Sequence, residues 1–333
     1  MKLVFISLVI WLCSCATIYA QKCGSGKLDP RVADVLKAGL GDFLSTYTTS
    51  VEKIRDLKFE TPDFPSSDVK YLKVTADSIP VQVYNPAHAT GMTIIISYHP
   101  GGFVTPILPS MKYDFWRQAK NYQAIVFAVD YRVAPENKYP AAVNDAYNAF
   151  KWIADHAQDY GGDTSRIVLS GASAGGNLAA VVCQKAKKEG IAHKIKLQVL
   201  NCPSTDNPKN YANYPSYQQN ASGYFLSKKF CLYYISVYAP DEELNNPEVA
   251  PVQSKDLSGL PPVVMIAAEF DPLHDEDLAY AERLKKAGVR VWYKCFPGQI
   301  HCLLGLPPDA EELKELDRLI MTSINQLPAS KIK

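Results

Sequence analysis

The chain has 333 residues, and its 35 Lys and Arg residues nearly balance its 34 Asp and Glu residues, giving a formal net charge of +1. No basic stripe or run of like charge is present, so the composition predicts no nucleic-acid partner. Hydrophobic residues make up 47% of the chain, which is enough to bury the core of one large domain.

The N-terminus has the layout of a secretory signal peptide. Lys2 precedes an apolar core at 3–12, and small residues follow up to position 20. We therefore predict a signal peptide at 1–20 and an exported domain at 21–333, with cleavage after Ala16 as an alternative. An uncleaved anchor and lipid attachment remain open as other fates, and only these two would place the domain at a membrane.

The cysteines leave their pairing open. Two of the eight lie in the leader, at Cys13 and Cys15, and Cys15 is the residue that a lipid would modify. An exported chain permits disulfides, but the remaining six cysteines allow 15 connectivities. Their spacing is not that of a metal site, so we predict no metal and no cofactor. Asn220 begins a glycosylation sequon that a eukaryotic host could use.

The first strands come after position 68. Residues 68–84 contain two alternating runs that predict the outer, partly antiparallel edge of a sheet, and Met92 to Tyr98 is an apolar, β-branched run typical of a central strand. His-Pro-Gly-Gly-Phe follows at 99–103. Glycines let a backbone approach a substrate closely, so this loop could direct N–H groups at a developing oxyanion.

Ser173 occupies the middle of a Gly-x-Ser-x-Gly motif. The short apolar run at 167–170 predicts a buried strand before it, and the alanine-rich stretch at 174–187 predicts a helix after it. A serine on a sharp turn from strand to helix is exposed to a general base, which such a weak nucleophile needs. Ser173 is therefore the candidate nucleophile.

An acid and a base follow at the ends of two later strands. The apolar run at 262–268 leads to Asp271, and the run at 289–296 leads to His301. Because open α/β sheets bind ligands at the carboxyl ends of their strands, both side chains should reach the same crevice as the serine. His274 is the competing base. Cys302 is the competing nucleophile, although a buried or paired cysteine suits its position better.

Helices between the strands, at 139–156 and 308–324, indicate an α/β fold with a mostly parallel, doubly wound sheet. Two segments, 28–64 and 206–246, break this alternation and should pack together as a helical cap over the serine. The second segment is rich in aromatic residues, of which two or three should contact the substrate. The predicted pocket residues are Phe103, Tyr224 and Phe225.

From residue 68 to residue 327 the chain resembles the hormone-sensitive-lipase-like branch of the α/β-hydrolases, which includes arylacetamide deacetylase-like and bacterial carboxylesterases. Besides the motifs above, the resemblance rests on the sequences DYRVAPE at 130–136, YPAA at 139–142, LPP at 260–262 and DPLHDE at 271–276. It implies Ser173 as nucleophile, His301 as general base and Asp271 as its orienting acid. It also implies three oxyanion donors, the N–H groups of Gly101, Gly102 and Ala174.

Two positions depart from the family pattern. Pro100 stands where a glycine is usual, and Ala172 stands where an Asp or another polar residue is usual. Neither removes a member of the triad. The sequence thus predicts a serine carboxylic-ester hydrolase for short to medium acyl or aryl esters. An amidase or deacetylase on the same triad, a non-catalytic ligand receptor and an exported adhesion module are the alternatives.

Overall fold

The computed structural model describes residues 23–24, 26–41, 51–56, 61–75 and 77–327. Within these residues, eight strands form one sheet in the order β1-β2-β4-β3-β5-β6-β7-β8. Their bounds are Val69–Val74 (β1), Ile79–Tyr84 (β2), Met92–Tyr98 (β3), Ala124–Val129 (β4), Gly162–Ala172 (β5), Ile195–Asn201 (β6), Val263–Phe270 (β7) and Val291–Ile300 (β8).

The direction of the strands confirms the predicted sheet. β1 pairs with β2 and β2 pairs with β4 in antiparallel fashion, whereas every other neighbouring pair is parallel. The two antiparallel strands lie at one edge, as the alternating pattern of residues 68–84 indicates. β3 and β5 lie in the middle, so the motifs that follow them reach the centre of the sheet's carboxyl edge.

Helices cover both faces of the sheet. Their bounds are Pro30–Val35 (α1), Val51–Arg55 (α2), Pro109–Asn121 (α3), Ala141–His156 (α4), Ala174–Lys188 (α5), Ser216–Gln219 (α6), Lys228–Tyr238 (α7), His274–Lys286 (α8) and Glu311–Asn325 (α9). Ile94 and Ile96 of β3 belong to the same apolar cluster as residues of α4, α5 and α8, whereas Ile95 belongs to the cluster that includes residues of α3 and α9. Successive side chains of a strand point to opposite faces, so β3 is apolar throughout because both faces are buried.

Two strands extend further than their apolar runs. β5 begins at Gly162, five residues before the predicted start, because the chain already pairs with Met92 of β3 there. β8 continues through Pro297 and Gly298. The N–H of Gly298 donates to Glu269 Oε2 at 2.8 Å, and its carbonyl accepts from the N–H of Asp29 at 3.0 Å. These hydrogen bonds keep the strand extended up to Ile300, immediately before His301.

The described parts of the two predicted cap segments contact each other. Ile54 of α2 packs in one apolar cluster with residues of the second segment, including Tyr217 and Phe230. Val32 of α1 packs in another cluster with Ile300 and the side chain of Phe225. Residues 42–50 and 57–60, and the predicted leader at 1–20, lie outside the described residues, so the domain bounds stay a prediction. Across the described part of the chain, no helix combines the length and apolarity needed to cross a membrane.

A disulfide joins the first described segment to the sheet. Cys23 and Cys295 of β8 are bonded across 272 positions of sequence, with their Cα atoms 5.6 Å apart. Four cysteines of the described residues stay free, at positions 183, 202, 231 and 302. The disulfide therefore ties the segment that leads into α1 to the strand that ends at His301.

Candidate active site

Ser173 lies on the turn between β5 and α5 in a backbone conformation that few side chains adopt, with φ 53° and ψ −120°. The turn is possible because its neighbours lack side chains. A Cβ at Gly171 would lie 2.1 Å from the carbonyl oxygen of Gly175, and a Cβ at Gly175 would lie 2.0 Å from the carbonyl oxygen of Tyr98. Only glycine allows this close approach of strand and helix. Strained backbone of this kind is common at active sites.

The backbone on both sides of the serine is held by hydrogen bonds to the end of β6. The N–H of Ser173 donates to the carbonyl of Asn201 at 2.9 Å, and its carbonyl accepts from the N–H of Ser204 at 3.2 Å. The turn is therefore fixed to the neighbouring strand, which prevents it from relaxing into a regular helix start.

The loop after β3 turns its backbone toward the serine. Gly101 and Gly102 have positive φ angles of 124° and 58°, and a Cβ on Gly102 would lie 2.3 Å from the Tyr234 ring. Among the described residues, the N–H groups of Gly101, Gly102 and Ala174 have no hydrogen-bond acceptor. Gly101 and Gly102 line the same cavity as Ser173, whereas Ala174 lies at the buried first position of α5. Unpaired N–H groups beside a nucleophile are what an oxyanion site requires.

The contacts of His99 fix the start of this loop. Its ring is fully buried and stacks on Tyr131 with centroids 4.0 Å apart, and the Tyr131 hydroxyl donates to the His99 carbonyl at 2.7 Å. Nδ1 of His99 lies 2.8 Å from the carbonyl oxygen of Pro100, within hydrogen-bond distance. Burial lowers the pKa of His99, which favours the neutral ring.

Asp271 and His301 form a buried pair at the ends of β7 and β8. Nδ1 of His301 lies 2.7 Å from Asp271 Oδ2, and the second carboxylate oxygen accepts from the N–H of Leu273 at 2.9 Å. Burial of the ring alone would lower the pKa of His301. The charge and hydrogen bond of Asp271, together with contact to Cys202, outweigh burial and raise this pKa above its ordinary value of 6.5.

His274, the competing candidate for the general base, lies away from Ser173. His274 begins α8, and its Nδ1 contacts Asp275 Oδ1 at 2.9 Å. It does not line the cavity that holds Ser173, whereas His301 does. Of the two histidines that follow Asp271 in sequence, His301 is the one that shares the cavity with Ser173.

Asn220, which the sequence marks only as a glycosylation sequon, is buried and donates from Nδ2 to the carbonyls of Glu269 and Asp271 at 3.1 Å each. A glycan would replace one of the two hydrogens on this nitrogen, so at least one of the two hydrogen bonds would be lost. Asn220 therefore positions the backbone of the loop that carries Asp271, which we call the acid loop. No short motif in the sequence marks this role.

The cavity has a volume of about 620 Å³ and a predominantly apolar lining. Ser173 and His301 lie at one part of its wall. The apolar remainder comes largely from α3, α9 and the loop before α9, with Met111, Phe115, Leu313, Leu316 and Ile320 among the lining residues. The sequence predicts helix α9 but not that it lines the cavity. The lining of a cavity depends on packing between helices that are distant in sequence.

The predicted pocket residues separate into two groups. Phe225 lines the cavity and so does Tyr234, which makes two of the cap's aromatic residues, in line with the small number expected. Phe103 and Tyr224 do not line it, so this part of the pocket prediction is corrected. Phe103 stacks on Tyr238 with centroids 3.8 Å apart, and Tyr224 packs on Phe270 at 5.0 Å.

A serine on a strand-to-helix turn, beside a glycine loop and a buried carboxylate–histidine pair, is the arrangement of an α/β-hydrolase active site. A family model described by the alpha/beta hydrolase fold matches residues 95–305, and the chain belongs to this family. Carboxylesterase NlhH of Mycobacterium tuberculosis is 34% identical to it over 286 residues, which cover 82% of this chain and 88% of that protein. The arylesterase of Saccharolobus solfataricus is 31% identical, with 86% and 95% covered.

Solved structures are similar over nearly the whole chain. A thermostable esterase from Pseudomonas putida superposes with a TM-score of 0.78 at 29% identity, covering 92% of this chain and 100% of that one. An arylesterase structure gives a TM-score of 0.75 at 28% identity, covering 89% and 99%. These similarities confirm the predicted α/β-hydrolase fold.

The raised pKa of His301 leads to a testable pH dependence. Because only the neutral ring can accept a proton, we expect kcat/KM to rise with pH through an ionisation above 6.5. Asp271→Asn should lower kcat by up to about 10⁴-fold and move the rising limb to lower pH, since burial is then opposed only by the contact of His301 with Cys202. Asp275→Asn, which removes the carboxylate beside His274, is the matched control and should keep the wild-type profile. Equal rising limbs in wild type and Asp271→Asn would contradict the assignment.

Proposed function

We propose that the protein is a serine carboxylic-ester hydrolase that works through an acyl-enzyme at Ser173. The observation that carries this proposal is the 2.7 Å contact between the buried side chains of Asp271 and His301, because the histidine also lines the cavity that exposes Ser173. Relatives named carboxylesterase, arylesterase and ethyl acetate hydrolase support ester hydrolysis as the reaction.

The chemistry follows from the positions of these groups. With Nδ1 bonded to Asp271, His301 accepts the Ser173 proton at Nε2 while the serine oxygen attacks the ester carbonyl. The N–H groups of Gly101, Gly102 and Ala174 stabilise the oxyanion that forms. His301 then returns the proton to the leaving alcohol. A water molecule, activated by the same ring, attacks the acyl-enzyme and releases the acid, so no cofactor takes part.

Within the family we assign the chain to the arylacetamide deacetylase-like branch, on the motifs at 130–136 and 271–276. Amides are the alternative substrates, because the same acyl-enzyme can form from either leaving group. Comparing matched p-nitrophenyl esters and anilides distinguishes the two, and an ester preference is expected because an alkoxide leaves more readily than an amide nitrogen.

The cavity suggests the acyl preference. Leu316 and Ile320 of α9 and Phe115 of α3 are buried side chains that bound an apolar space opening at Ser173. Each methylene gains about 0.8 kcal/mol while there is space to bury it, which is about fourfold in kcat/KM. A space of this limited volume favours short to medium acyl chains, roughly two to eight carbons, over long-chain fats.

We also propose that the protein is exported by its N-terminal leader. The disulfide between Cys23 and Cys295 supports this proposal, because disulfides persist in oxidising compartments and are rare in the cytosol. Cys23 lies three residues beyond the predicted cleavage position at 20, so the bond would be retained in the mature chain.

Ser173→Ala tests the nucleophile. We expect loss of ester hydrolysis by about 10⁴-fold or more, with an unchanged thermal unfolding midpoint. A fluorophosphonate probe should label the wild type covalently and leave this variant unlabelled. Ser204→Ala, on the neighbouring strand end, is the control and should remain labelled. Ester hydrolysis by Ser173→Ala within about tenfold of wild type would contradict the mechanism.

A series of p-nitrophenyl esters tests the acyl pocket. We expect kcat/KM to rise with chain length, pass through a maximum at or below about eight carbons and then fall, because further methylenes find no space. Ile320→Trp should move the maximum to shorter chains without loss of acetate hydrolysis, whereas Leu319→Trp, on the same helix but outside the cavity lining, should leave it in place. A maximum near sixteen carbons, or a jump in rate on emulsified triglyceride, would contradict this pocket.

Expression of the full chain in a secretory host tests the leader. We expect to find the protein in the medium, with an intact mass that corresponds to cleavage after residue 20 or 16. The mass should also be lower by two hydrogens than that of the fully reduced chain, because one disulfide forms. Leu8→Arg, which interrupts the apolar core of the leader, should keep the protein inside the cell, and Lys27→Arg should not. Secretion of the Leu8→Arg variant at the wild-type level would count against a signal peptide.

A further inference from the structure

Two free cysteines lie against the ring of His301. Cys202 directly follows β6 and Cys302 follows His301 itself, so the order of the strands brings both to the same point of the sheet edge. The ligand atoms of Cys202, His301 and Cys302 all lie within 4.8 Å of one another. The N–H of Cys302 also donates to the sulfur of Cys202 at 3.3 Å, which ties the two residues together.

We propose that Cys202, His301 and Cys302 form an inhibitory binding site for a thiophilic divalent metal ion of the Zn²⁺ and Cd²⁺ type. Two thiolates and one imidazole are a ligand set that zinc takes in proteins, with a fourth position left open to water. The ring is already oriented as in metal sites, where a carboxylate bonds to the nitrogen that does not hold the metal. Asp271 makes this bond to Nδ1 at 2.7 Å, so we assign the ion to the other ring nitrogen, Nε2.

The ion can reach this site by the route of the substrate. Cys302 lines the cavity together with Ser173 and His301, whereas Cys202 is completely buried behind them. Binding forms two metal–sulfur bonds and one metal–nitrogen bond and releases one proton from each thiol. No redox step is involved.

A second cysteine–histidine cluster serves as an internal comparison. Cys23, His274 and Cys295 also have ligand atoms within 4.8 Å of one another. Their two sulfurs are joined in the disulfide, so they have no thiolate to offer a metal ion. Only the cluster at His301 keeps both of its thiols free.

The consequence for the enzyme is direct competition. The lone pair of Nε2 that binds the ion is the same lone pair that accepts the Ser173 proton, so the protein cannot bind the ion and catalyse at the same time. This consequence rests on the proposed ester hydrolysis, but the binding itself does not. The ion is therefore an inhibitor at this site and not a cofactor.

The test uses the full chain with the Cys23–Cys295 disulfide intact, the four free cysteines as thiols, and two metal ions. Zn²⁺ should inhibit p-nitrophenyl acetate hydrolysis reversibly, with recovery on addition of EDTA. Cys302→Ser should raise the inhibition constant, measured relative to the variant's own activity without metal, by at least about tenfold, because one of three protein ligands is lost. Cys183→Ser, a free and buried cysteine of α5, is the matched control and should be inhibited like the wild type.

Binding is measured separately from activity. Titration with Cd²⁺ should produce the ultraviolet charge-transfer band of cadmium bound to thiolate, saturating at one equivalent in the wild type and in the catalytically dead Ser173→Ala. The band should be weaker in Cys302→Ser and in Cys202→Ala. An undiminished band in both cysteine variants, or equal Zn²⁺ inhibition of wild type and Cys302→Ser, would overturn the proposal. Because the band does not require turnover, its absence from wild type would refute the metal site without bearing on ester hydrolysis.

Discussion

The close contact between the start of α5 and the ends of β3 and β5 is the constraint on which the rest of the site depends. With a Cβ on Gly175 the carbonyl of Tyr98 would be only 2.0 Å away, so helix and strand can meet only where the side chain is absent. The same contact holds Ser173 in its unusual backbone conformation. It also brings the first N–H of α5 beside the loop after β3. One packing contact thus sets both the nucleophile and the site that stabilises its oxyanion.

The order of the strands determines which functional groups lie on each side of Ser173. β5 ends in the middle of the sheet, with the glycine loop after β3 on one side and β6, β7 and β8 on the other. Asp271 and His301 therefore approach from the opposite side to the oxyanion donors. Among the buried carboxyls nearby, Asp271 has the donors Leu273 N–H and His301, whereas Asp277 has no hydrogen-bond partner among the described residues. Burial raises the pKa of Asp277 well above its usual range. Asp271, which is the partner of His301, thus differs from Asp277 in having hydrogen-bond donors for both of its carboxylate oxygens.

The elements that the sequence predicts well are those set by local pattern. β3 has the predicted bounds because six of its seven residues are apolar or β-branched and all but Met92 are buried, and the alternation of strands and helices determines the fold class. The pocket was predicted less well, since its lining joins α3 to α9 across about two hundred positions. Phe103 belongs to a recognisable motif, yet its positive φ of 63° and its stacking on Tyr238 take it out of the cavity. The 15 connectivities counted from the sequence assume that all six cysteines pair, whereas the structure forms one disulfide and leaves four of the described cysteines free.

The cap is attached through the residues that surround the acid. Asn220 donates to the carbonyl of Asp271, the N–H of Ser216 donates to Asp275 at 2.8 Å, and the hydroxyl of Tyr217 donates to Glu276 at 2.9 Å. Burial raises the pKa of Glu276 to about 8, although the hydrogen bonds that its carboxylate accepts from Thr205, Tyr217 and Asp206 oppose the shift. If α6 moved away, the acid loop would lose three hydrogen bonds and His301 would lose its alignment. This part of the cap therefore acts on the site through the segment that carries Asp271, since Ser216, Tyr217 and Asn220 are not among the residues that line the cavity.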